Sequence, residues 1–262
     1  MRELSLFSGA GGGLYGSKLL EWETIGYVEF NEYCQKVIRQ RIEDGIFDRA
    51  PLFTDVREFV KCGAARAYRG FVDVVTGGFP CQPFSVAGKR EASNDERDMW
   101  PATMDVIKAV QPPVVFLENV PGLLSATVDN TSDGHIYYFG TILRDLAESG
   151  YGVKWCVLGA DDVGAPHHRK RLWILGFSAD SELLRFNKGK PRNATGETST
   201  RRKYRMESHR RAGLYATPRV CRMVDGVADR SNRLKAIGNG QVSLSMAAAY
   251  AILSSEFNAI GV

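Results

Sequence analysis

Several features that would assign this chain to common functional classes are missing. Its five cysteines form no C-x-x-C pair, so neither a disulfide framework nor a zinc knuckle is indicated. The four histidines show no metal-ligand spacing, and we expect no metal. No apolar run has membrane-spanning length, and the amino terminus enters a predicted strand without a signal peptide. We therefore expect a reduced, soluble, cytoplasmic protein that does not bind membranes.

The composition is that of a globular protein with a substantial core. With 262 residues, the chain is long enough for one large α/β domain and a small additional element. The net charge of +4 is modest and indicates no particular partner.

Short apolar strands alternate with helical patterns along most of the chain. Strands are predicted at residues 4–7, 24–28, 72–76, 114–117, 154–158 and 172–177, and helices at 14–20, 32–41, 103–110, 139–149 and 242–253. This alternation predicts βαβ units, that is, an α/β fold with a mostly parallel sheet and helices on both faces. We expect the last two strands to form an edge pair.

The composition changes near Ala179. Between Arg185 and Arg211, ten Lys or Arg stand against two acids, and Ser, Thr, Asn and Gly are common. This segment lacks a sustained apolar period, which is typical of a loop-rich or partly disordered arm. We predict a main domain at 1–178, a short basic insertion at 179–217, and a segment at 218–262 that returns to the main domain.

A glycine-rich turn, FSGAGGGLYG at residues 7–16, directly follows the first strand. Glycines let the backbone approach a ligand closely, and the following helix presents free N–H groups to an anion. Glu29 lies twenty residues after Gly9, at the end of the second strand, where an acid can accept bonds from two ribose hydroxyls. The pair predicts a nucleoside-containing cofactor, without distinguishing NAD from S-adenosylmethionine. A structural turn plus a surface glutamate is the alternative.

Two further strands end near residues whose side chains can take part in chemistry. The segment GGFPCQ at 77–82 places Cys81 at the carboxyl end of a strand, where α/β sheets bind ligands, and makes it the candidate nucleophile. Glu118 ends an apolar strand, where a charge is costly unless it has a task or a partner. The alternative is that Glu118 faces solvent and caps the end of its strand. A thiolate and a carboxylic acid facing one crevice suit addition to an electron-poor ring.

A basic turn, PHHRKR at residues 166–171, precedes the last predicted strand. Arg169 and Arg171 are two residues apart on extended backbone and therefore share a face. They are suited to neutralise phosphate, to steady Glu118 or to hold Cys81 as thiolate. A solvated basic turn is the alternative.

In this order, the motifs resemble those of the DNA cytosine-5 methyltransferase family over nearly the whole chain. The segments similar to the family's motifs are the cofactor loop at 7–12, the ribose-binding acid Glu29, the adenine segment at 54–56, the nucleophile motif at 80–82, the acid motif at 118–120, the arginine pair and the closing motif IGNGQV at 237–242. The likeness decides against NAD, because a dehydrogenase would not need Cys81, Glu118 and the arginine pair together.

The resemblance implies a Rossmann-like, S-adenosylmethionine-dependent methyltransferase fold in which residues 1–178 hold both catalysis and cofactor. The implied catalytic residues are Cys81, Glu118, Arg169 and Arg171. The implied cofactor contacts are Phe7, Gly9, Gly11, Gly12, Glu29, Phe30, Asp55, Val56, Pro80, Trp100 and Asn239, with Trp100 equally compatible with a core position. The implied DNA contacts are Ser85, Lys89 and Arg97 in a closing loop, and Arg201, Arg202, Lys203 and Arg205 in the basic insertion.

The chain departs from the family pattern in three places. His167 stands where a glutamine is usual, and Gly240 where a small hydroxyl residue is common. The target-recognition region at 179–217 is short, which predicts a grip on phosphate with little base readout. We expect a monomeric prokaryotic or phage enzyme, either part of a restriction–modification pair or solitary, acting on double-stranded DNA. The alternatives are an RNA methyltransferase of the same fold and a catalytically inactive DNA-binding relative.

Overall fold

The computed structural model describes residues 1–80, 98–131, 134–178, 236 and 240–257, with the backbone alone at 128–131, 134–136 and 256–257. The strands are β1 (Arg2–Leu6), β2 (Glu23–Val28), β3 (Leu52–Phe53), β4 (Val74–Gly77), β5 (Val114–Asn119), β6 (Thr127–Thr131), β7 (Gly134–Tyr137), β8 (Tyr151–Leu158) and β9 (Arg171–Ser178). The α-helices are α1 (Gly12–Leu19), α2 (Glu32–Glu43), α3 (Val56–Lys61), α4 (Ala64–Ala67), α5 (Trp100–Val110), α6 (Tyr138–Glu148) and α7 (Ser243–Phe257), with 3-10 turns at Pro121–Ser125 and Asp161–Val163.

Seven strands form one sheet in the order β3-β2-β1-β4-β5-β9-β8. Strands β1 to β5 pair in parallel, and β9 runs antiparallel to both of its neighbours, β5 and β8. The predicted α/β class and the mostly parallel sheet are confirmed, and β8 and β9 are the expected pair at one side of the sheet. A separate hairpin joins β6 and β7.

Helices cover both faces of the sheet because the strands are apolar on both sides. On β5, Val114 and Phe116 pack in a cluster with α7, whereas Val115 and Leu117 pack in a cluster with α5 and α6. Helix α1 packs along α7, while α3, α4 and α6 each contact α5. Burying each such side chain contributes roughly 1.5–3 kcal/mol, so this double cover supplies the main stabilisation of the sheet.

The strand register places the predicted site motifs next to each other. Gly77 of β4 pairs with Leu117 of β5, so the strands leading to Cys81 and to Glu118 are neighbours. Strand β5 is two residues longer than predicted, and Glu118 lies inside it, opposite Trp173 of β9. Pairing with β9 explains the burial of Glu118, because its side chain would be exposed at a strand end open to solvent.

Several elements have no counterpart among the sequence predictions. Strand β3 has two residues, α4 has four and α3 has six, and these lengths are too short to show a hydrophobic period. The predicted basic insertion at 179–217 lies outside the described residues. Helix α7, within the segment predicted at 218–262, packs against α1. None of the helices in the described ranges is both long and apolar enough to cross a membrane.

Candidate active site

The turn after β1 is held in an uncommon backbone conformation. Phe7 has a φ of 50°, in the left-handed region that costs a residue with a bulky side chain roughly 1–2 kcal/mol. The partly buried ring of Phe7 packs against two apolar clusters, one on α5 and α6 and the other on α3 and α4. This packing compensates the cost of the backbone conformation. Gly9 and Gly11 also have positive φ, and Gly11 is the amino-terminal cap of α1. The turn therefore presents backbone, rather than side chains, at the start of the helix.

Glu29 ties this turn to the end of β2. The backbone N–H of Gly9 donates to Oε2 of Glu29 at 2.6 Å, and the N–H of Asn31 donates to Oε1 at 2.7 Å. Burial raises the pKa of Glu29, and these two donors partly offset the increase. Each carboxylate oxygen retains a free lone pair. Glu29 can thus hold the turn and still accept hydrogen bonds from a ligand.

An open crevice beside Glu29 carries an exposed aromatic ring. Phe30 is 76% exposed and lines this crevice together with Tyr33 and Thr54. The carboxylate of Asp55 accepts from the N–H of Arg57 at 2.7 Å and caps α3. Phe30 is therefore available for a flat ligand such as a purine.

Two of the expected cofactor contacts are core side chains. Val56 is buried in the cluster around Phe59, where α3 packs on the sheet. Trp100 is 3% exposed, packs against Phe79, and donates from Nε1 to Oδ2 of Asp145 at 2.8 Å. Of the two positions considered for Trp100, the structure places it in the core. The indole ring packs among apolar side chains, and its N–H is hydrogen-bonded within the protein.

Glu118 is a buried acid on the cavity side of β5. It is 8% exposed, and its Oε1 lies 2.7 Å from Nε of Arg171. Burial raises the pKa of Glu118, and the charges of Arg171 and Arg169 together with a hydrogen bond from Gln241 only partly lower it. The carboxyl therefore binds a proton more readily than an exposed glutamate, while a guanidinium fixes its orientation.

The backbone that leads to Cys81 is fixed by neighbouring elements. Nδ2 of Asn119 donates to the carbonyl of Phe79 at 3.0 Å, and the N–H of Met99 donates to the carbonyl of Pro80 at 3.2 Å. At Gly78, a side chain would meet Oε2 of Glu118 at 2.8 Å, so only glycine lets the carboxyl lie on this backbone. Cys81 itself lies outside the described residues.

A small cavity joins the glycine turn to Glu118. Its lining combines the turn, the end of β4, Glu118 and the start of the closing segment: Ser5, Leu6, Phe7, Ser8, Gly9, Gly13, Thr76, Gly77, Gly78, Glu118, Gly240 and Gln241. Gln241 belongs to the closing motif at 237–242, but its contact with Glu118 depends on long-range folding that no local pattern reveals.

The other predicted site residues lie outside the described parts of the chain. They are Ser85, Lys89, Arg97, Arg201, Arg202, Lys203, Arg205 and Asn239. Their roles stay predictions, as does the role of Cys81. Within the described residues, no group of three or more His, Cys, Asp or Glu side chains is placed to hold a metal ion.

Comparison with known proteins identifies the relatives of the chain. It is 34% identical over 197 residues to the Type II methyltransferase M.Bsp6I of Bacillus sp., covering 73% of this chain and 56% of that protein. It is 30% identical over 182 residues to M.CviJI of Paramecium bursaria Chlorella virus IL3A, covering 69% and 44%. The chain thus spans about half the length of the curated relatives that it matches.

Solved structures show the same fold. The S. pombe Dnmt2 methyltransferase superposes with a TM-score of 0.62 at 14% identity, covering 98% of this chain and 99% of that one. A Spodoptera frugiperda DNMT2 variant superposes with a TM-score of 0.53 at 20% identity, covering 75% and 53%. The profile of the C-5 cytosine-specific DNA methylases matches residues 1–235. By this match, which includes every motif up to the arginine pair and most of the chain beyond it, the protein belongs to the C-5 cytosine-specific DNA methylase family.

Proposed function

We propose that the protein transfers a methyl group from S-adenosylmethionine to carbon C5 of a flipped cytosine in double-stranded DNA, through a covalent adduct with Cys81. One observation carries the proposal. The buried Glu118, paired with the partly buried Arg171, lies beside the glycine turn, on the strand next to the one that leads into Cys81. A buried acid with raised proton affinity, close to the glycine turn and on the strand next to the one that leads to the proposed nucleophile, fits this chemistry.

The described residues fit the cofactor. Glu29 keeps acceptor capacity for a ribose diol, the glycine turn leaves room for close backbone contact, and Phe30 offers an exposed aromatic face. These three features would hold the nucleoside part of S-adenosylmethionine. When bound, the cofactor supplies an electrophilic methyl group.

In the proposed reaction the protein residues exchange a proton and an electron pair with the cytosine ring. The thiolate of Cys81 forms a bond to C6, Glu118 donates its proton to N3, and the electron pair of the C5–C6 double bond becomes available at C5. After methylation, a base removes the C5 proton, the double bond returns, Cys81 leaves as thiolate and Glu118 recovers its proton. The raised pKa of Glu118 favours the protonated form that begins this sequence.

The arginine pair has a supporting role in this proposal. Nε of Arg171 holds Oε1 of Glu118, while Oε2 lies over Gly78. Arg169 adds positive charge beside the same carboxyl. Both guanidinium groups are suited to neutralise the phosphate of the flipped nucleotide.

DNA contacts outside the described residues complete the proposal. Flipping a cytosine out of the duplex costs a few kcal/mol, which closure of the loop that contains Ser85, Lys89 and Arg97 would offset. Arg201, Arg202, Lys203 and Arg205 would grip phosphate and give affinity with little base readout. We therefore propose a monomeric enzyme with a short target site, working in the cytoplasm of a prokaryotic or phage-infected cell. Bisulfite sequencing of treated DNA would map that site, and a long, strictly required target would contradict this part.

Trapping with 5-fluorocytosine tests the proposed reaction. Fluorine at C5 blocks the final proton loss, so duplex DNA carrying this base should become covalently attached to the protein when S-adenosylmethionine is present. Mass spectrometry should locate the bond at Cys81, and the Cys81→Ala variant should give no adduct. Absence of an adduct in every duplex context would overturn the proposal, and trapping on transfer RNA instead would show that the substrate is RNA.

A further inference from the structure

Gln241 lies between Glu118 and the glycine turn, and the proposed reaction assigns no role to it. Its side chain hydrogen-bonds Glu118. A side chain built at Gly78 would meet Oε2 of Glu118 at 2.8 Å and Nε2 of Gln241 at 3.1 Å, so these two atoms converge above Gly78. The amide nitrogen therefore faces the carboxyl group and is the donor of this hydrogen bond.

The other side of Gln241 rests on the glycine turn. The backbone of Gln241 lies against Gly12, where an added Cβ atom would be 2.9 Å from the backbone nitrogen of Gln241. Oε1 of Gln241 occupies the space that a side chain at Gly13 would need. Ser243, at the start of α7, donates to the carbonyl of Gly12 at 2.8 Å. The amide oxygen of Gln241 thus lies against the first turn of α1, while the amide nitrogen faces Glu118.

We propose that Gln241 is a positioning residue that couples the glycine turn to Glu118, so that cofactor binding at the turn and the placement of the acid are adjusted together. The inference rests on the proposed function, since it assigns cofactor to the turn and proton donation to Glu118. A planar amide with one edge on the turn and the other on the carboxyl transmits a shift of either group to its partner. The same donor stabilises the ionised carboxyl, so its loss should raise the pKa of Glu118 further.

A double-mutant cycle on cofactor binding tests the coupling without DNA. The four proteins are the wild type, Glu118→Gln, Gln241→Met and the double variant; methionine keeps the length of Gln241 and removes its hydrogen bond to Glu118. Isothermal titration calorimetry gives the dissociation constant of S-adenosylmethionine for each. We expect the effect of Glu118→Gln to differ at least about threefold between the two backgrounds. Effects that multiply independently would overturn the coupling.

A carboxyl titration gives a second readout that a merely structural role would not move. In protein labelled with ¹³C-glutamate, the Glu118 resonance, identified by its loss in Glu118→Gln, should titrate at higher pH in Gln241→Met than in the wild type. The control is Gln40→Met, because Gln40 donates to Asp44 on the surface of α2, away from the site. An unchanged Glu118 titration in Gln241→Met would contradict the proposal.

The design separates this inference from the proposed function. If Gln241→Met fails to fold, as judged by its thermal unfolding, Gln241→Asn keeps an amide one methylene shorter and should show the same changes at smaller size. If the protein binds S-adenosylmethionine but transfers no methyl group to DNA, the proposed function is wrong. The double-mutant cycle on cofactor binding still tests the coupling in that case. Absence of cofactor binding by the wild type would overturn both.

Discussion

Glu3 and Glu118 are buried carboxyl groups in two regions of the same sheet, and their surroundings differ. Glu3, on β1, is 1% exposed and accepts from three hydroxyl groups: Thr76 at 2.6 Å, Ser17 at 2.8 Å and Thr24 at 2.8 Å. Glu118, on β5, is paired with the guanidinium of Arg171 and lines the cavity beside the glycine turn. Burial is the largest cause of a raised pKa at both.

The difference shows what each environment can do with a proton. Around Glu3 the donors are neutral hydroxyls that join β1, β2, β4 and α1 in a closed network, so its protonation is linked to folding. Around Glu118 the partners are cations and an amide, and the cavity leaves one side of the carboxyl accessible. Its protonation can therefore be linked to a bound base. Burial alone therefore does not determine which role a carboxyl group can take.

The largest expected effect compares the two glutamates directly. Glu118→Gln should lower the single-turnover rate of methyl transfer about 10²- to 10⁴-fold, the usual contribution of a positioned acid. Glu3→Gln should leave that rate close to the wild-type value, because hydroxyl groups can also accept from an amide. Radiolabelled methyl incorporation into duplex DNA measures both, and equal losses in the two variants would invalidate the contrast.

Removing the cation beside Glu118 should have the next largest effect. Arg171→Met should slow methyl transfer about ten- to a hundredfold, as expected for loss of one charged hydrogen bond. The charge of Arg171 lowers the pKa of Glu118, so its loss should also move the alkaline limb of the pH–rate profile to higher pH. Arg144→Met, which removes a surface pair with Asp145 on α6, is the control and should leave the profile unchanged.

The hydroxyl network of Glu3 should appear in stability instead of rate. Thr76→Val keeps the shape of the side chain but deprives Glu3 of its shortest donor, and should lower the free energy of unfolding by about 1–3 kcal/mol. Thr103→Val is a matched control, because the Thr103 hydroxyl donates only to the carbonyl of Met99 one turn earlier in the chain. Urea denaturation measures both, and a smaller loss for Thr76→Val than for Thr103→Val would count against the network.

The smallest expected effect is a slope of stability with pH. The folded-state pKa of Glu3 is raised above its ordinary value of 4.5, so the folded protein binds more protons than the unfolded chain. Its stabilising contribution is fully present below the unfolded-state pKa and is lost as pH rises through the folded-state pKa, by at most about 1.4 kcal/mol per pH unit. Unfolding of wild type and Glu3→Gln at several pH values should show a shallower decline in the variant. Parallel curves would mean that Glu3 does not titrate differently on folding.

Many elements of the fold and some of the site followed from local patterns. The strand that carries Glu118 and the strand that leads to Cys81 were predicted from apolar runs, and the structure makes them neighbours. The glycine turn and Glu29 were paired by spacing alone, and a hydrogen bond from Gly9 now joins them. The short elements β3 and α4 were missed because they lack a period. The burial of Trp100 could not be predicted because it depends on the packing of α6 against it.

Residue order by itself determined the α/β class, the succession of motifs and the candidates Cys81, Glu118 and Glu29, because strand and helix periods and glycine turns are local properties. Only the tertiary structure decided that Arg171 pairs with Glu118, that Gln241 donates to it from the far end of the chain, and that Glu3 is enclosed by hydroxyl groups. These contacts join residues distant in sequence, and their strength depends on burial and distance, which exist only after the chain has packed.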